Sequence, residues 1–339
     1  MIKPTITIGI TTYNRLDYLR DTIKSLIQNK YEIEILIGND YTEEKLDLEK
    51  IGVFDRRIRI INHPVNLGEL ENMNYLLSQA SGEYFTWMFD DDPSSIYLME
   101  NIVKAIEENY NIQCIYTSYK RLVSEKSYLD NKKYIYNHKK YSGQEFLKKY
   151  FKGKVKVLGC LGFYKTSYLK KIGGAARLSA GRMALHAEYD LIIKSGLLNS
   201  LVYLDMPLVT TRVHSSSWSI SNTDFALFSE AGINLIKSNI NILISKELKN
   251  DFDSNFQKLL GFVIGSIVVS NFRSKNSLRT EYLDDVFDSI IKIKDEIEDE
   301  VIKKSILFSI KKVKKYIFLY KLKGRLKLIL PLWLLKFLG

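Results

Sequence analysis

Asp90-Asp91-Asp92 holds the densest chemistry in the chain. The triplet ends an apolar run, Tyr84-Phe85-Thr86-Trp87-Met88-Phe89, that reads as a buried strand, and Pro93 follows it. Three adjacent acids cannot lie inside a strand without partners, because burying an unpaired charge is very unfavourable. They belong where the strand leaves the sheet. In an open α/β sheet, ligands bind outside the carboxyl ends of the strands. Clustered carboxylates at such an edge suit a hard divalent cation shared with substrate phosphates. The same triplet also suits a polar loop, with Asp as turn former and Asp92-Pro93 as a helix start.

The elements that must position these acids are legible upstream. Ile6 to Thr12 is rich in β-branched residues and reads as a buried strand. Tyr13-Asn14-Arg15 follows as a loop, and Leu16, Leu19, Ile23, Leu26 and Ile27 recur at helical spacing to about Asn29. Glu32 to Gly38 is the next strand and ends in Asn39-Asp40. A strand, helix and strand of these lengths form a βαβ unit, which implies a parallel sheet. Ile58 to Ile61 is a third strand. A helix then runs from Asn66-Leu67-Gly68 to Ala80, and Ser81-Gly82 stops it.

Beyond the acids, the pattern predicts a helix from Ile96 to Glu108 and a strand from Ile112 to Thr117. Residues 120–140 are polar and aperiodic and read as a long loop. An apolar segment at Val155–Tyr164 returns to the sheet, and Gly173-Gly174 marks a turn. Ala187–Leu198 reads as a helix, Leu201–Leu204 as a strand, and residues 207–214 close the region. From Asp224 onward the patterns are helical. Leu259–Val269 is almost wholly apolar but shorter than the ~20 residues that a bilayer span requires. It reads as a buried core helix in which Gly261 and Gly265 permit close packing.

At 339 residues the chain has room for one large core and a second, smaller unit. Its two cysteines, Cys114 and Cys160, have neither disulfide-framework nor zinc spacing, which suits a reducing compartment. Met1-Ile2-Lys3-Pro4 runs into a strand pattern without a signal-peptide pattern. The net charge of +11 is uneven: eleven Lys and Arg follow Glu300 with no acid, so removing them from 50 leaves 39 bases against 39 acids in residues 1–300. A neutral body with a basic tail argues against nucleic acid as the partner of the main surface.

Taken together, these stretches resemble the family 2 glycosyltransferases, inverting enzymes of the GT-A fold. The resemblance rests on Thr11-Thr12-Tyr13-Asn14-Arg15, Asn39-Asp40, Asn66-x-Gly68 through Ala80-Ser81-Gly82-Glu83-Tyr84, the acid triplet, and Arg212-x-His214. It implies a mostly parallel, Rossmann-like sheet flanked by helices, followed by a helical C-terminal region. The expected layout is a nucleotide-sugar-binding catalytic domain over 1–222, a helical region over 223–300 and a basic amphipathic tail over 301–339.

The resemblance also implies roles. Thr12, Tyr13, Asn14, Arg15, Asp40, Asn66, Gly68, Asp90 and Asp91 would bind the nucleotide-sugar. Tyr13 could stack on the base, a contact worth ~1–3 kcal/mol on stacking platforms, or pack on the core as a loop aromatic. Asp40 would accept a hydrogen bond from the base, where Asn39 stands for a second acid. Asp90 and Asp92 match the DxD pair and, with His214, would hold Mn²⁺ or Mg²⁺, which neutralises the departing diphosphate. In His186-Ala187-Glu188-Tyr189-Asp190-Leu191, Glu188 takes the position of the base that receives the acceptor's proton. Ala187 stands where the family has another acid. Glu188 and Asp190, two apart on a helix, cannot share a face, which leaves Asp190 structural. Leu158-Gly159-Cys160-Leu161-Gly162-Phe163 corresponds to the acceptor-facing part, where glycine allows close backbone approach.

In the tail, Ile302, Ile306, Ile310, Val313 and Ile317 form one helical stripe, with Lys304, Lys311 and Lys315 off it. Residues 318–338 are rich in Leu and Phe, with Trp333, and are broken by lysines and Pro331. This suits a helix at an anionic membrane surface, or else a final amphipathic helix packed on the domain.

The expectation is therefore a metal-dependent inverting transferase. It would move a sugar, from a UDP-sugar by preference, to a glycan or lipid-linked acceptor in bacterial surface polysaccharide synthesis. It would work as a peripheral protein on the cytoplasmic face of the membrane. Two rivals remain: a nucleotidyltransferase making nucleotide-sugars, and a non-catalytic, membrane-attached binding protein. The first lacks its Gly-rich phosphate loop here, while Ala187 and Asn39, each in place of an acid, leave the second open.

Overall fold

The computed structural model describes residues 5–124, 126, 128–214, 224–245, 247–273 and 281–324, and the chain divides into two compact units. The first comprises residues 1–177 and 182–217, and the second residues 178–181 and 218–339.

An eight-stranded sheet organises the first unit, in the order β3-β2-β1-β4-β7-β5-β8-β6. Strands β1 (Ile6–Thr12), β2 (Ile33–Asn39), β3 (Ile58–Asn62) and β4 (Tyr84–Phe89) are mutually parallel. Their register pairs Thr12 with Asn39, Asn39 with Asn62, and Thr11 with Phe89. All four strands thus end along one row, and Tyr13, Asp40, His63 and Asp90 are the next residues out. Strand β7 (Phe163–Lys165) is antiparallel to both β4 and β5 (Cys114–Val123), so β5 runs the same way as β4. Strand β8 (Leu201–Val213) is parallel to β5, which delivers His214 to the same edge. Short β6 (His138–Tyr141) closes the sheet antiparallel to β8.

Helix α1 (Leu16–Leu26) buries Leu19, Ile23 and Leu26 against the sheet, and these fall at the spacing of one helical face. Short α2 (Leu48–Ile51) lies on the path to β3. Helix α3 (Glu69–Gln79) packs on β1 and β2, and Trp87 Nε1 donates to Met73 O at 2.9 Å. Helix α4 (Leu98–Glu108) buries Leu98, Met99, Ile102 and Ala105. Helix α5 (Gly143–Phe151) starts with a Ser142–Glu145 capping box, which satisfies two amides of the first turn reciprocally. Helices α6 (Thr166–Lys171) and α7 (Ala187–Lys194) complete the unit.

Two expectations need correction. The loop expected over 120–140 is shorter, because β5 continues to Val123 against β8 and β6 begins at His138. The strand patterns at 201–204 and 207–213 form one strand carried through Pro207. The register of β5 and β8 shifts where Pro207 meets Ser118. Proline has no N–H to give a ladder and is accommodated at such irregularities.

The second unit is helical, with α8 (Phe225–Leu243), α9 (Phe252–Arg273), α10 (Glu281–Asp295) and α11 (Glu300–Gly324). Leu235, Ile236, Leu259, Val263, Phe287, Ile290, Ile302 and Ile306 are buried in its core. Leu259–Val269 is indeed part of a core helix, but the close approach comes from the other side. A Cβ on Gly232 of α8 would lie 2.3 Å from Val263 Cγ1, whereas one on Gly261 would meet nothing within 4 Å. The Ile302, Ile306 and Ile310 stripe of α11 is buried as well, so this part packs on its own unit. Among the described residues, no helix is long and apolar enough to cross a membrane. Most of the 318–338 stretch lies outside the described residues.

Candidate active site

The row of strand ends brings most of the expected residues together. Thr12 Oγ1 donates to Asp90 Oδ2 at 2.8 Å, joining the ends of β1 and β4. Asn14 holds φ 52°, a left-handed conformation that Asn tolerates better than most residues. It turns the chain from β1 into α1. Arg15 Nη1 then lies 3.3 Å from Asp90 Oδ1 and 3.2 Å from Asp91 Oδ2. Tyr13 stays 52% exposed and meets Tyr41 in a T-shaped contact at a centroid distance of 5.4 Å. A half-exposed aromatic ring at a strand end is available to a flat ligand.

The acids differ from one another. Asp90 and Asp92 are both buried, and burial first, then the neighbouring Asp91 charge, raises the pKa of each. Asp92 Oδ1 accepts the N–H of Arg212 at 2.9 Å. Asp91 Oδ2 meets His214 Nε2 at 3.0 Å. His214 is 3% exposed, and its ring lies 4.2 Å from that of Tyr18. It is therefore a built part of the edge, facing Asp91 rather than either end of the DxD pair. Arg212 Nη2 reaches Asp21 Oδ2 at 3.2 Å, and its guanidinium lies 4.9 Å from the Tyr18 ring centroid. Thr22 Oγ1 donates to Asp90 O at 2.8 Å. Tyr18, Asp21 and Thr22 form an α1 support that motif reading missed, since on a helix pattern they look like ordinary surface positions.

The donor set suits a divalent cation in one specific way. Asp90 and Asp92 are buried carboxylates next to a third negative group, a concentration of charge that a cation would relieve. Among the described residues, no three ligating side chains converge into a cage. As hard oxygen donors the two carboxylates fit Mg²⁺, which binds through one or two carboxylates together with substrate phosphates.

Asp40 is engaged with the 66–68 loop. Its Oδ1 accepts Leu67 N at 2.5 Å and its Oδ2 accepts Gly68 N at 2.7 Å. Asn66 Oδ1 also accepts Gly68 N, at 3.0 Å. Gly68 has φ 85°, and a Cβ there would lie 2.6 Å from Arg182 Cβ, so only glycine fits this turn. Arg182 Nη2 donates to Asn66 O. Asn39 holds the 41–46 loop, donating to Glu44 O at 2.8 Å and accepting from Tyr41 N at 3.1 Å. Glu69, which the motif reading passed over, accepts Ala184 N at 3.0 Å, and burial raises its pKa.

Glu188 lies in the first turn of α7, after His186 in a left-handed conformation. Its Oε1 accepts Gly159 N, and its Oε2 accepts Cys160 N at 3.1 Å. Burial raises its pKa, and these two amides oppose the rise. A Cβ on Gly159 would lie 2.1 Å from Glu188 O, so the glycine permits the contact. Cys160 O in turn accepts Trp87 N of β4 at 3.2 Å, which ties Glu188 to the strand that carries the acids. Ala187 is wholly buried, so a side chain there faces the core. Asp190 is wholly buried too and pairs with Lys194 Nζ at 2.8 Å, one turn on.

The sequence of residues 7–173 matches the family model described as glycosyl transferase family 2. The match spans residues 7–173, just under half of the chain, and makes the chain similar to that family. A protein described as an uncharacterized glycosyltransferase from Haemophilus influenzae is 34% identical over 126 residues, covering 36% of this chain and 39% of that protein. A Campylobacter jejuni protein named GalNAc(5)-diNAcBac-PP-undecaprenol beta-1,3-glucosyltransferase is 28% identical over 111 residues, covering 32% of this chain and 36% of that protein. The chain thus spans well under two thirds of the length of these curated relatives. The crystal structure of S. aureus TarS residues 1–349 in complex with UDP superposes with a TM-score of 0.61 at 14% identity, covering 96% of this chain and 93% of that one. This likeness bears on fold alone, and it bears out the expected GT-A-like architecture of a mostly parallel sheet flanked by helices.

Proposed function

We propose that this chain is an inverting family 2 glycosyltransferase that takes its sugar from a nucleotide-sugar, preferably a UDP-sugar. The observation that carries the reading is the joint placement of Thr12, Asp40 and Asp90 at the ends of three parallel strands, with Glu188 tied to the acid strand through Cys160. Tyr13 stacks on the nucleobase, Asp40 accepts its N–H, and the 66–68 loop closes beside it. A carboxylate has acceptor capacity beyond the two amides that Asp40 already holds. Arg15 and Thr12 orient the acids toward the diphosphate. Asp90 and Asp92 would hold Mn²⁺ or Mg²⁺, with His214 supporting the group through Asp91, and such an ion would supply charge neutralisation for the leaving diphosphate.

Glu188 receives the proton of the acceptor hydroxyl as its oxygen bonds to the anomeric carbon and the bond from that carbon to the diphosphate breaks. Attack opposite the leaving group inverts the centre. A raised pKa suits this role, because a base works best when its pKa approaches the working pH.

The acceptor in this proposal is a glycan built on a lipid carrier, as in the name of the C. jejuni relative, within surface polysaccharide synthesis. It is met at the cytoplasmic face of the membrane. The exposed side of α11 supports this location: Leu307 and Phe308 lie among exposed Lys304, Lys311, Lys314 and Lys315. Bulky apolar groups interleaved with lysines suit an anionic bilayer surface. Titration calorimetry with UDP, GDP and dTDP tests the donor assignment. Selective UDP binding, strengthened by Mn²⁺, is expected, and no binding by any of the three would overturn the reading.

A further inference from the structure

Behind Glu188 lies a chain of buried hydroxyls that the proposed reaction leaves unused. Tyr164, Tyr116 and Ser195 are each wholly buried. Tyr164 Oη donates to Gly159 O at 2.9 Å. Tyr116 Oη contacts Tyr164 Oη, and Ser195 Oγ lies 2.8 Å from Tyr116 Oη. Tyr164 spends its only hydrogen on Gly159 O, so the hydrogen between the two phenols is Tyr116's. Ser195 Oγ donates to Leu191 O at 2.9 Å and lies beside Tyr116 Oη. Two phenol dipoles therefore point at one peptide bond.

That peptide is one of the two that hold the carboxylate, the other giving Gly159 N to Glu188 Oε1. Gly159 O and Cys160 N belong to the same planar amide, and Cys160 N donates to Glu188 Oε2 at 3.1 Å. A carbonyl that accepts a strong hydrogen bond makes its own N–H a better donor, because hydrogen bonds in series polarise one another. The neighbourhood is shaped around this chain. A Cβ on Gly162 would lie 2.7 Å from the Tyr164 ring and 2.8 Å from the Tyr116 ring. Tyr116 also stacks on Phe146 at 4.9 Å, which fixes the ring that carries the relay.

We propose that Tyr164, backed by Tyr116, is a positioning residue for Glu188: it clamps the Gly159–Cys160 peptide and so sets the orientation and charge state of the carboxylate. The inference rests on the reading of Glu188 as the base. Other ionisable groups also face Glu188: Cys160 from the 159–162 segment, Tyr116 and Tyr119 from β5, Tyr150 from α5, and Tyr189 from its own helix, with Asp190 two residues on. Of these, only Tyr116 belongs to the hydroxyl chain, and Cys160 meets that chain through its backbone.

The test follows the Glu188 carboxyl carbon by ¹³C NMR titration in the full chain, assigned by its loss in Glu188→Gln. In Tyr164→Phe, which keeps the ring and deletes only the hydroxyl, the Glu188 pKa should rise by roughly half a unit. The kcat for nucleotide release should fall several-fold, with donor KM unchanged, because the unclamped peptide no longer holds the carboxylate in its orientation. Tyr116→Phe, which deletes the hydroxyl that donates to Tyr164, should give a smaller shift in the same direction, and it serves if Tyr164→Phe does not fold. A wild-type Glu188 titration in the folded variants would overturn the inference, because a hydroxyl that only fills space would lower stability without moving that pKa. Full turnover in Glu188→Gln would overturn the base assignment instead, and the titration would still report on Tyr164.

Discussion

Cys160 and Glu188 are joined by a backbone N–H to Oε2 hydrogen bond of 3.1 Å, and the carbonyl of the same Cys160 accepts Trp87 N at 3.2 Å. Trp87 lies on β4, three residues before Asp90. A single residue thus fixes the proposed base relative to the strand whose end carries the acids. The cysteine contributes this link through its backbone. Its thiol is buried beside the Glu188 carboxylate, with which it also interacts, and burial first, then that negative charge, pushes the thiol pKa well up, so it stays protonated.

Glu188→Gln should lower kcat by about 10²–10⁴-fold, the range for loss of a general base. Nucleotide affinity by calorimetry should stay near wild type, because Glu188 lies on the acceptor side of the account. Equal losses in affinity and turnover would place Glu188 in donor binding.

The pH dependence has a definite sign. The base must be ionised to take a proton, and burial holds Glu188 above the ordinary glutamate value of 4.5. Turnover should therefore fall with decreasing pH along a limb that lies above that value. Stability moves the other way for this group. Its raised folded pKa means that its contribution is fully present below the unfolded pKa and is lost as pH rises through the folded pKa. A kcat profile flat down to the ordinary glutamate range would contradict the assignment.

Gly159→Ala should damage both fold and activity. The added Cβ would meet Glu188 O at 2.1 Å, and relieving it forces α7 and the 159–162 segment apart. Overpacking of this kind costs about 1–3 kcal/mol. The expected result is a lower denaturant midpoint together with a kcat loss larger than that of a control Gly261→Ala, where a Cβ meets nothing within 4 Å. Wild-type kcat in Gly159→Ala would show that the close contact does not position Glu188.

Much of the fold is legible in the sequence because its signals are local. The β-branched runs of β1 and β2, the helical spacing of Leu19, Ile23 and Leu26, and Gly82 each report on their own neighbourhood. Asp90, Asp92, Gly68 and Glu188 stand out because their chemistry is unusual at their positions. Tyr116, Tyr164 and Ser195 do not, since a buried tyrosine on a strand pattern looks like core until its hydroxyl is seen to meet a partner 48 or 79 residues away. The polar end of β5 was hidden for a related reason. Residues 118–123 alternate poorly and become strand only through β8, about 90 residues later, and such non-local pairing overrides local preference.

The exposed face of α11 predicts a lipid preference. Wild-type protein should co-sediment with vesicles containing phosphatidylglycerol and not with pure phosphatidylcholine vesicles, and added salt should release it. Leu307→Ser with Phe308→Ser should weaken sedimentation several-fold while leaving UDP binding intact. Equal sedimentation on both vesicle types would refute an electrostatic surface contact.

The most direct test of the central claim is nucleotide release from a panel of UDP-, GDP- and dTDP-sugars, with and without Mn²⁺ or Mg²⁺, for wild type and Asp92→Ala. Metal-dependent release from a UDP-sugar, lost in Asp92→Ala, is the predicted result. Release that is indifferent to the metal and preserved in Asp92→Ala would contradict it.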